Sequence, residues 1–158
     1  MIRTGLGYDI HRLKRGRPFL LGGVKLPFHK GEDGHSDGDA LAHAVCDALL
    51  GASGLGDIGE LFPPSSPEWK DANSMELLRN AFVRVKTAGW RVVNIDCVII
   101  CEKPAVLPFR DAIRQSLAHA LEIDAGSVFV KGKTAEGLGD VGRGRAVEVL
   151  AQCLLEKK

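Results

Sequence analysis

The stretch Gly34-His35-Ser36-Asp37-Gly38-Asp39-Ala40-Leu41-Ala42-His43-Ala44-Val45-Cys46-Asp47 places the tightest limits on how this chain can fold. Gly34 and Gly38 mark a turn, Ser36 or Asp37 offers an oxygen to cap the free amides of a following helix, and Leu41, Ala44, Val45 and Ala48 recur on one helical face. An amphipathic helix ending near Gly51 is expected. Residues four apart share a side of a helix, so Asp39, His43 and Asp47 form a polar stripe turned away from the apolar one. His43 therefore points toward something polar.

A partner for it stands near the N-terminus. Ile2, Leu6, Tyr8 and Ile10 alternate with Arg3, Gly5, Gly7, Asp9 and His11, the period of a half-buried strand, so Asp9 and His11 project from one face. A strand giving Asp-x-His and a helix giving one His together supply three ligands and leave a fourth position open, the pattern of a catalytic zinc. The spacing alone fits a surface Asp-x-His pair and a solvent-facing helix histidine equally well.

With 158 residues, the chain has length for one compact domain, read as 1–158. Its 21 Lys and Arg balance 20 Asp and Glu with no long run of one sign, which argues against a nucleic-acid or membrane-surface partner and for a small ligand. No apolar run is long enough to span a membrane and no signal sequence is visible, so a cytoplasmic location is expected. Cys46, Cys97, Cys101 and Cys153 lack metal-ligand spacing and sit among apolar residues, as reduced buried thiols do.

Arg12 to Pro18 reads as a basic turn, Phe19 to Leu21 and Val24 to Phe28 as a hairpin broken at Gly22-Gly23, and His29 to Asp33 as the lead into the glycine turn. Gly54, Gly56 and Gly59 surround Asp57, where backbone can approach a ligand. The proline-rich run Leu61 to Trp69 has no period and suits a lid. Asn73-x-x-Glu76 forms a capping box for a second helix with its stop at Gly89. Trp90 to Cys101 has the β-branched content of a central, well-buried strand. Pro108 opens a third helix with the stripe Phe109, Ile113, Leu117 and Leu121, and Ser127 to Lys133 is a strand delivering Lys133, Thr134 and Glu136. Ala146 to Leu155 fits helix or strand, with Val147, Val149, Ala151 and Cys153 in one alternating row that favours strand. Strands and helices so arranged imply a sheet with helices packed on one side.

Taken together, Gly7-Tyr8-Asp9-Ile10-His11, His35-Ser36-Asp37-Gly38-Asp39 with His43, Gly56-Asp57-Ile58-Gly59, Leu61-Phe62-Pro63, and Lys133-Thr134-Ala135-Glu136 with Gly142-Arg143-Gly144 closely resemble the 2-C-methyl-D-erythritol 2,4-cyclodiphosphate synthase family, nearly end to end and in the same order. The resemblance implies closure of 4-diphosphocytidyl-2-C-methyl-D-erythritol 2-phosphate to the cyclic diphosphate with release of CMP, in the non-mevalonate route to isoprenoids. It implies an α+β fold with a mixed sheet, and a homotrimer packed as a prism with active sites between subunits.

Carried over motif by motif, the zinc ligands are Asp9, His11 and His43, which also face the substrate, and Glu136 holds a magnesium or manganese ion. His35 and Thr134 act on the phosphates in the transition state, with Ser36 beside them. Asp57, Ile58 and Gly59 meet the methylerythritol part, covered by the lid residues Phe62, Pro63, Pro64, Ser65 and Ser66. Cytidine lies on the turn Cys101, Glu102, Lys103, Pro104, Ala105, Val106 and Leu107, with Lys133 and Ala135 flanking Thr134 at the diphosphate and Asp140 and Arg143 completing the contacts. Asp47 is a candidate hydrogen-bond acceptor behind His43, or a solvated helix carboxylate. The sequence departs from the family at Ala105, where a lysine is usual, and at Arg145, where an acid is usual. In the family, Arg143 and the acid lie at the trimer's central channel, so Arg145 implies a more cationic channel, offset in part by Asp140. Two rivals remain open: a zinc-dependent phosphohydrolase, and a nucleotide-binding module without turnover.

Overall fold

The computed structural model describes residues 1–157. Strands β1 (Ile2–Arg15), β4 (Lys30–Asp33), β5 (Arg91–Ile100), β6 (Val128–Lys133) and β7 (Ala146–Glu156) form one sheet in the order β4-β1-β7-β5-β6, and β2 (Phe19–Leu21) pairs with β3 (Val24–Leu26) as a separate hairpin. Only β5 and β6 run parallel, so the sheet is mixed. The helices are α1 (Ala40–Ser53), the single turn α2 (Ile58–Leu61), α3 (Ser74–Thr87), α4 (Arg110–Ala120) and the short α5 (Gly139–Gly142). This is the expected α+β arrangement.

The way β1 meets α1 decides where the site forms. A methyl group on Gly5 or Gly7 would collide with the carbonyl oxygens of Ala48 and Ala44, so the two glycines and the alanine-rich side of α1 let strand and helix come closer than ordinary side chains permit. The glycine face of β1 is therefore the inner one, and Asp9 and His11 continue it toward the helix. The half-buried pattern in the sequence pointed to the apolar row instead, yet Leu6, Tyr8 and Ile10 remain 69%, 50% and 45% exposed on the outer face.

Helix α1 is covered almost all round, with α3 packed beside it, and only His43, Asp47 and Gly51 escape full burial, one turn apart from each other. The stripe is as expected except at Asp39. That residue, fully buried, is the N-cap in place of Ser36 or Asp37: it accepts from the Ala42 amide at 3.0 Å and from the Gly22 and Gly23 amides at 2.9 and 2.6 Å. The helix also runs past Gly51 to a left-handed Gly54, φ 72°.

Two strand limits differ from the sequence reading. β1 continues through Arg15, and Lys30–Asp33, expected as a lead-in, pairs with its end as β4. Buried Glu32 fastens this corner by accepting from the Leu20 and Ala40 amides, both at 3.2 Å, and Arg17 donates to the Glu32 and Ser36 carbonyls at 3.1 and 3.0 Å. β5 buries one face rather than two, through Ile95, Cys97 and Ile99. β7 is the strand that its alternating row suggested and pairs with β1 and β5 on either side. All four cysteines are free and buried, and burial pushes the Cys97 thiol up to about 12.

Candidate active site

Asp9 and His11 on β1 and His43 on α1 converge, each offering a ligand atom within 4.8 Å of the others. Asp9 Oδ2 lies 3.1 Å from His43 Nδ1 and 3.5 Å from His11 Nδ1. His11 Nδ1 is buried with no hydrogen-bond partner, an orphan that a cation bound between these three side chains would satisfy. Burial, with His43 nearby, lowers the His11 pKa despite Asp9, so its ring nitrogen is kept neutral and able to ligate. Burial also disfavours charge on His43, but the Asp9 hydrogen bond and charge, helped by Asp39 and Asp37, leave its pKa raised. Two imidazoles and one carboxylate suit a divalent transition metal.

The two histidines of the triad line a cleft with His35, Ser36, Ile58, Gly59, Phe62 and Pro64, and the sequence-predicted residues of three separate segments meet there. His35 is exposed, whereas Ser36 is buried with its hydroxyl turned inward, 3.1 Å from His43 Nε2. Asp57 caps α2 through the Glu60 amide at 2.9 Å, and Asp47 accepts from the Ile58 amide at 2.8 Å. Asp47 therefore ties the metal-site helix to the Asp57–Gly59 turn instead of backing His43. In the lid run, Phe62 is buried against Trp69 at 5.0 Å between ring centroids, Pro63 and Ser66 are half-buried, Ser65 is exposed, and Pro67–Trp69 forms a 3₁₀ turn. Trp69, the end of the lid run, and Leu77 also line the cleft; Leu77 carries no signal in the sequence beyond its apolar character.

A second cleft gathers Cys101, Glu102, Pro104, Ala105, Val106 and Leu107 with Lys133 and Thr134, and shares no residue with the first. Its two walls are joined by the Cys101 amide donating to the Lys133 carbonyl at 3.0 Å and the Ala135 amide donating to Glu102 at 3.2 Å. Thr134 Oγ1 donates to Glu136 Oε1 at 3.0 Å, and Glu136 holds a left-handed backbone, φ 53°, uncommon for a residue with a side chain. Lys103 is exposed outside the cleft lining, while Arg110, which sequence reasoning passed over as a helix residue, is inside it with its Nε buried and unpartnered. Asp140 and Arg145 form an exposed pair at 3.5 Å beside a third groove, and Arg143 is exposed. No described helix is long and apolar enough to cross a membrane.

The sequence model of the YgbB family matches residues 2–156. The 2-C-methyl-D-erythritol 2,4-cyclodiphosphate synthase of Treponema denticola is 60% identical over 98% of this chain and 96% of its own length. Among solved structures, the CDP complex of Plasmodium falciparum IspF is 38% identical over 99% of this chain and 97% of its own, with a TM-score of 0.88. The bifunctional IspDF of Campylobacter jejuni superposes with a TM-score of 0.96 at 42% identity over the whole of this chain, which spans 43% of that longer protein. Sequence and structure thus agree from one end to the other, and the chain belongs to the YgbB family, that of the 2-C-methyl-D-erythritol 2,4-cyclodiphosphate synthases.

Proposed function

We propose that this protein is a 2-C-methyl-D-erythritol 2,4-cyclodiphosphate synthase, a phosphorus-oxygen lyase acting in the cytoplasm on 4-diphosphocytidyl-2-C-methyl-D-erythritol 2-phosphate. The observation that carries the reading is the Asp9, His11 and His43 triad, whose two histidines line the cleft with His35, Ile58, Gly59 and Phe62. Asp9, His11 and His43 would hold a zinc ion, and Glu136 would hold a magnesium or manganese ion. Bound there, the cations supply the charge neutralisation that lets two phosphate groups approach each other.

The attacking oxygen of the 2-phosphate is already anionic, so the protein needs no strong base. Its task is to align that oxygen with the β-phosphorus and the CMP leaving group and to stabilise the charge that develops. His35, exposed at the mouth of the metal cleft, donates to the phosphates, and Thr134, at the edge of the second cleft, would join it with the hydroxyl proton that Glu136 otherwise accepts. Ser36 bonds the phosphates through its backbone, since its hydroxyl faces inward. Phe62 and the following prolines exclude water from above the sugar. The Cys101–Leu107 turn takes the cytidine, and Lys133 and Ala135 bracket its diphosphate.

Each complete site lies between two copies of the chain in a homotrimer. The exposed row Leu6, Tyr8 and Ile10 on the open face of the sheet supports this, because a monomer rarely leaves such a contiguous apolar surface to water. Phosphorus NMR of the protein with the cytidyl substrate, zinc and magnesium tests the reading. The cyclic diphosphate and CMP should appear together; inorganic phosphate without cyclic product would select the phosphohydrolase, and binding without turnover the nucleotide-binding module.

A further inference from the structure

We propose that Ser74 and Asp37 are positioning residues for the metal site, a two-step relay that fixes His43 in the one tautomer able to present Nδ1 to a metal. The proposal rests on the metal reading above. His43 Nε2, the ring nitrogen facing away from the triad, lies 2.8 Å from Ser74 Oγ. Ser74 Oγ in turn donates to Asp37 Oδ1, and the Ser74 amide donates to Asp37 Oδ2 at 3.0 Å. The Asp39 amide adds a third donor to the same carboxylate at 3.2 Å.

Donor and acceptor counting sets the protons. A carboxylate only accepts, so the single hydroxyl proton of Ser74 goes to Asp37 and a lone pair of Ser74 Oγ faces the imidazole. Nε2 must therefore carry a ring proton, and the proton that Nδ1 donates to Asp9 Oδ2, 3.1 Å away, is the one a bound cation would replace, leaving the Nδ1 lone pair to the metal. Ser36 Oγ, 3.1 Å from Nε2 and 3.2 Å from Ser74 Oγ, accepts from the Gly38 amide, and on its own can either donate to Nε2 or accept from it. Without Ser74, the Asp9 carboxylate would hold the ring proton on Nδ1 while Ser36 donated to Nε2, the tautomer that cannot offer Nδ1 to a metal. Ser74 is 1% exposed, which keeps water from replacing it.

The relay also explains why the first turn of α3 is laced to the loop before α1. Asp37 donates its amide to Ala72 and the Asp71 amide donates to His35, both at 3.0 Å, so the segment that positions His43 is the one that carries His35 and Ser36. Hydrogen bonds behind a metal-bound histidine typically change metal affinity 10- to 100-fold.

The test uses the full chain with zinc alone and cobalt(II) alone. Chelator competition gives the zinc affinity, and the visible absorption of the cobalt form reports the ligand field. Ser74→Ala should bind zinc about 10- to 100-fold more weakly, with a shifted cobalt spectrum, and Ser74→Thr, which restores the hydroxyl, should recover most of both. A merely structural serine would lower the thermal midpoint of the metal-free protein without altering the cobalt spectrum; that outcome, or unchanged zinc affinity in Ser74→Ala, would overturn the relay. Should Ser74→Ala fail to fold, Asp37→Asn carries the test: it offers one carbonyl oxygen where the carboxylate offers two, and a zinc affinity equal to wild type would overturn the proposal. If the wild-type protein itself binds neither ion, the metal reading falls first and this proposal with it.

Discussion

Thr134 lines the cleft that holds the 101–107 turn, and its hydroxyl donates to Glu136, a proton that on the proposed reading it would turn to a phosphate. A donor poised for charge that grows during the reaction matters most in the transition state, so Thr134→Ala should lower kcat by roughly 100-fold while CDP affinity changes far less. Steady-state kinetics beside CDP titration checks this; weakened binding at unchanged kcat would refute the assignment. Ala105 contributes no charge to the turn, and Lys133 is the lysine that lines the same cleft. Lys133→Ala should therefore weaken CDP binding in a salt-dependent way, and Lys103→Ala should leave it near wild type. Isothermal titration at two salt concentrations decides between them. Arg110, with its unpartnered Nε in that cleft, is the second cation to titrate if Lys133→Ala has no effect.

At the scale of elements, the close seating of α1 on β1 governs both stability and the metal site. Gly7→Ala forces a methyl against the Ala44 carbonyl, so it should cost about 1–3 kcal/mol of stability and, by moving His43 away from Asp9, weaken zinc binding as well. Denaturant unfolding and chelator competition measure the two effects, and a loss of stability with unchanged zinc affinity would contradict the coupling. The corner held by Glu32 predicts a pH response. Burial raises the Glu32 pKa well above its ordinary value, with Asp39 adding to the rise, so the folded state keeps a proton that the unfolded state releases. Stability should then fall as pH climbs from the ordinary carboxylate range through the raised value, and Glu32→Gln should flatten that slope. Unfolding free energies across that pH window test it.

These same elements show what the sequence made legible. Asp-x-His on a strand and a histidine on a helix stripe were readable because each depends on local period, and the triad follows from them. The choice of Asp39 as cap was not readable: Ser36, Asp37 and Asp39 all offer suitable oxygens, and the two hairpin amides that select Asp39 come from seventeen residues away or nearly so. Lys30–Asp33 has no apolar alternation, and only pairing with the charged end of β1 makes it a strand. The inward face of β1 is not legible because the glycines that pack there carry no apolar signal, while the apolar row lies on the exposed face.

For the whole molecule, the proposed trimer turns that apolar row into an interface and brings the metal cleft of one copy against the nucleotide cleft of the next. Light scattering should give a trimer, and Leu6→Asp, which puts a charge on the open sheet face, should reduce it to subunits with little activity. Because the two clefts share no residue, they can also be inactivated separately. His43→Ala disables one and Thr134→Ala the other, and each variant alone should be nearly inactive. Unfolded together and refolded as mixed assemblies, they should regain activity, since about a quarter of randomly formed junctions would join an intact metal cleft to an intact nucleotide cleft. In a cell carrying one copy of each defective allele, two broken genes would then complement each other, and a single gene would behave genetically as two.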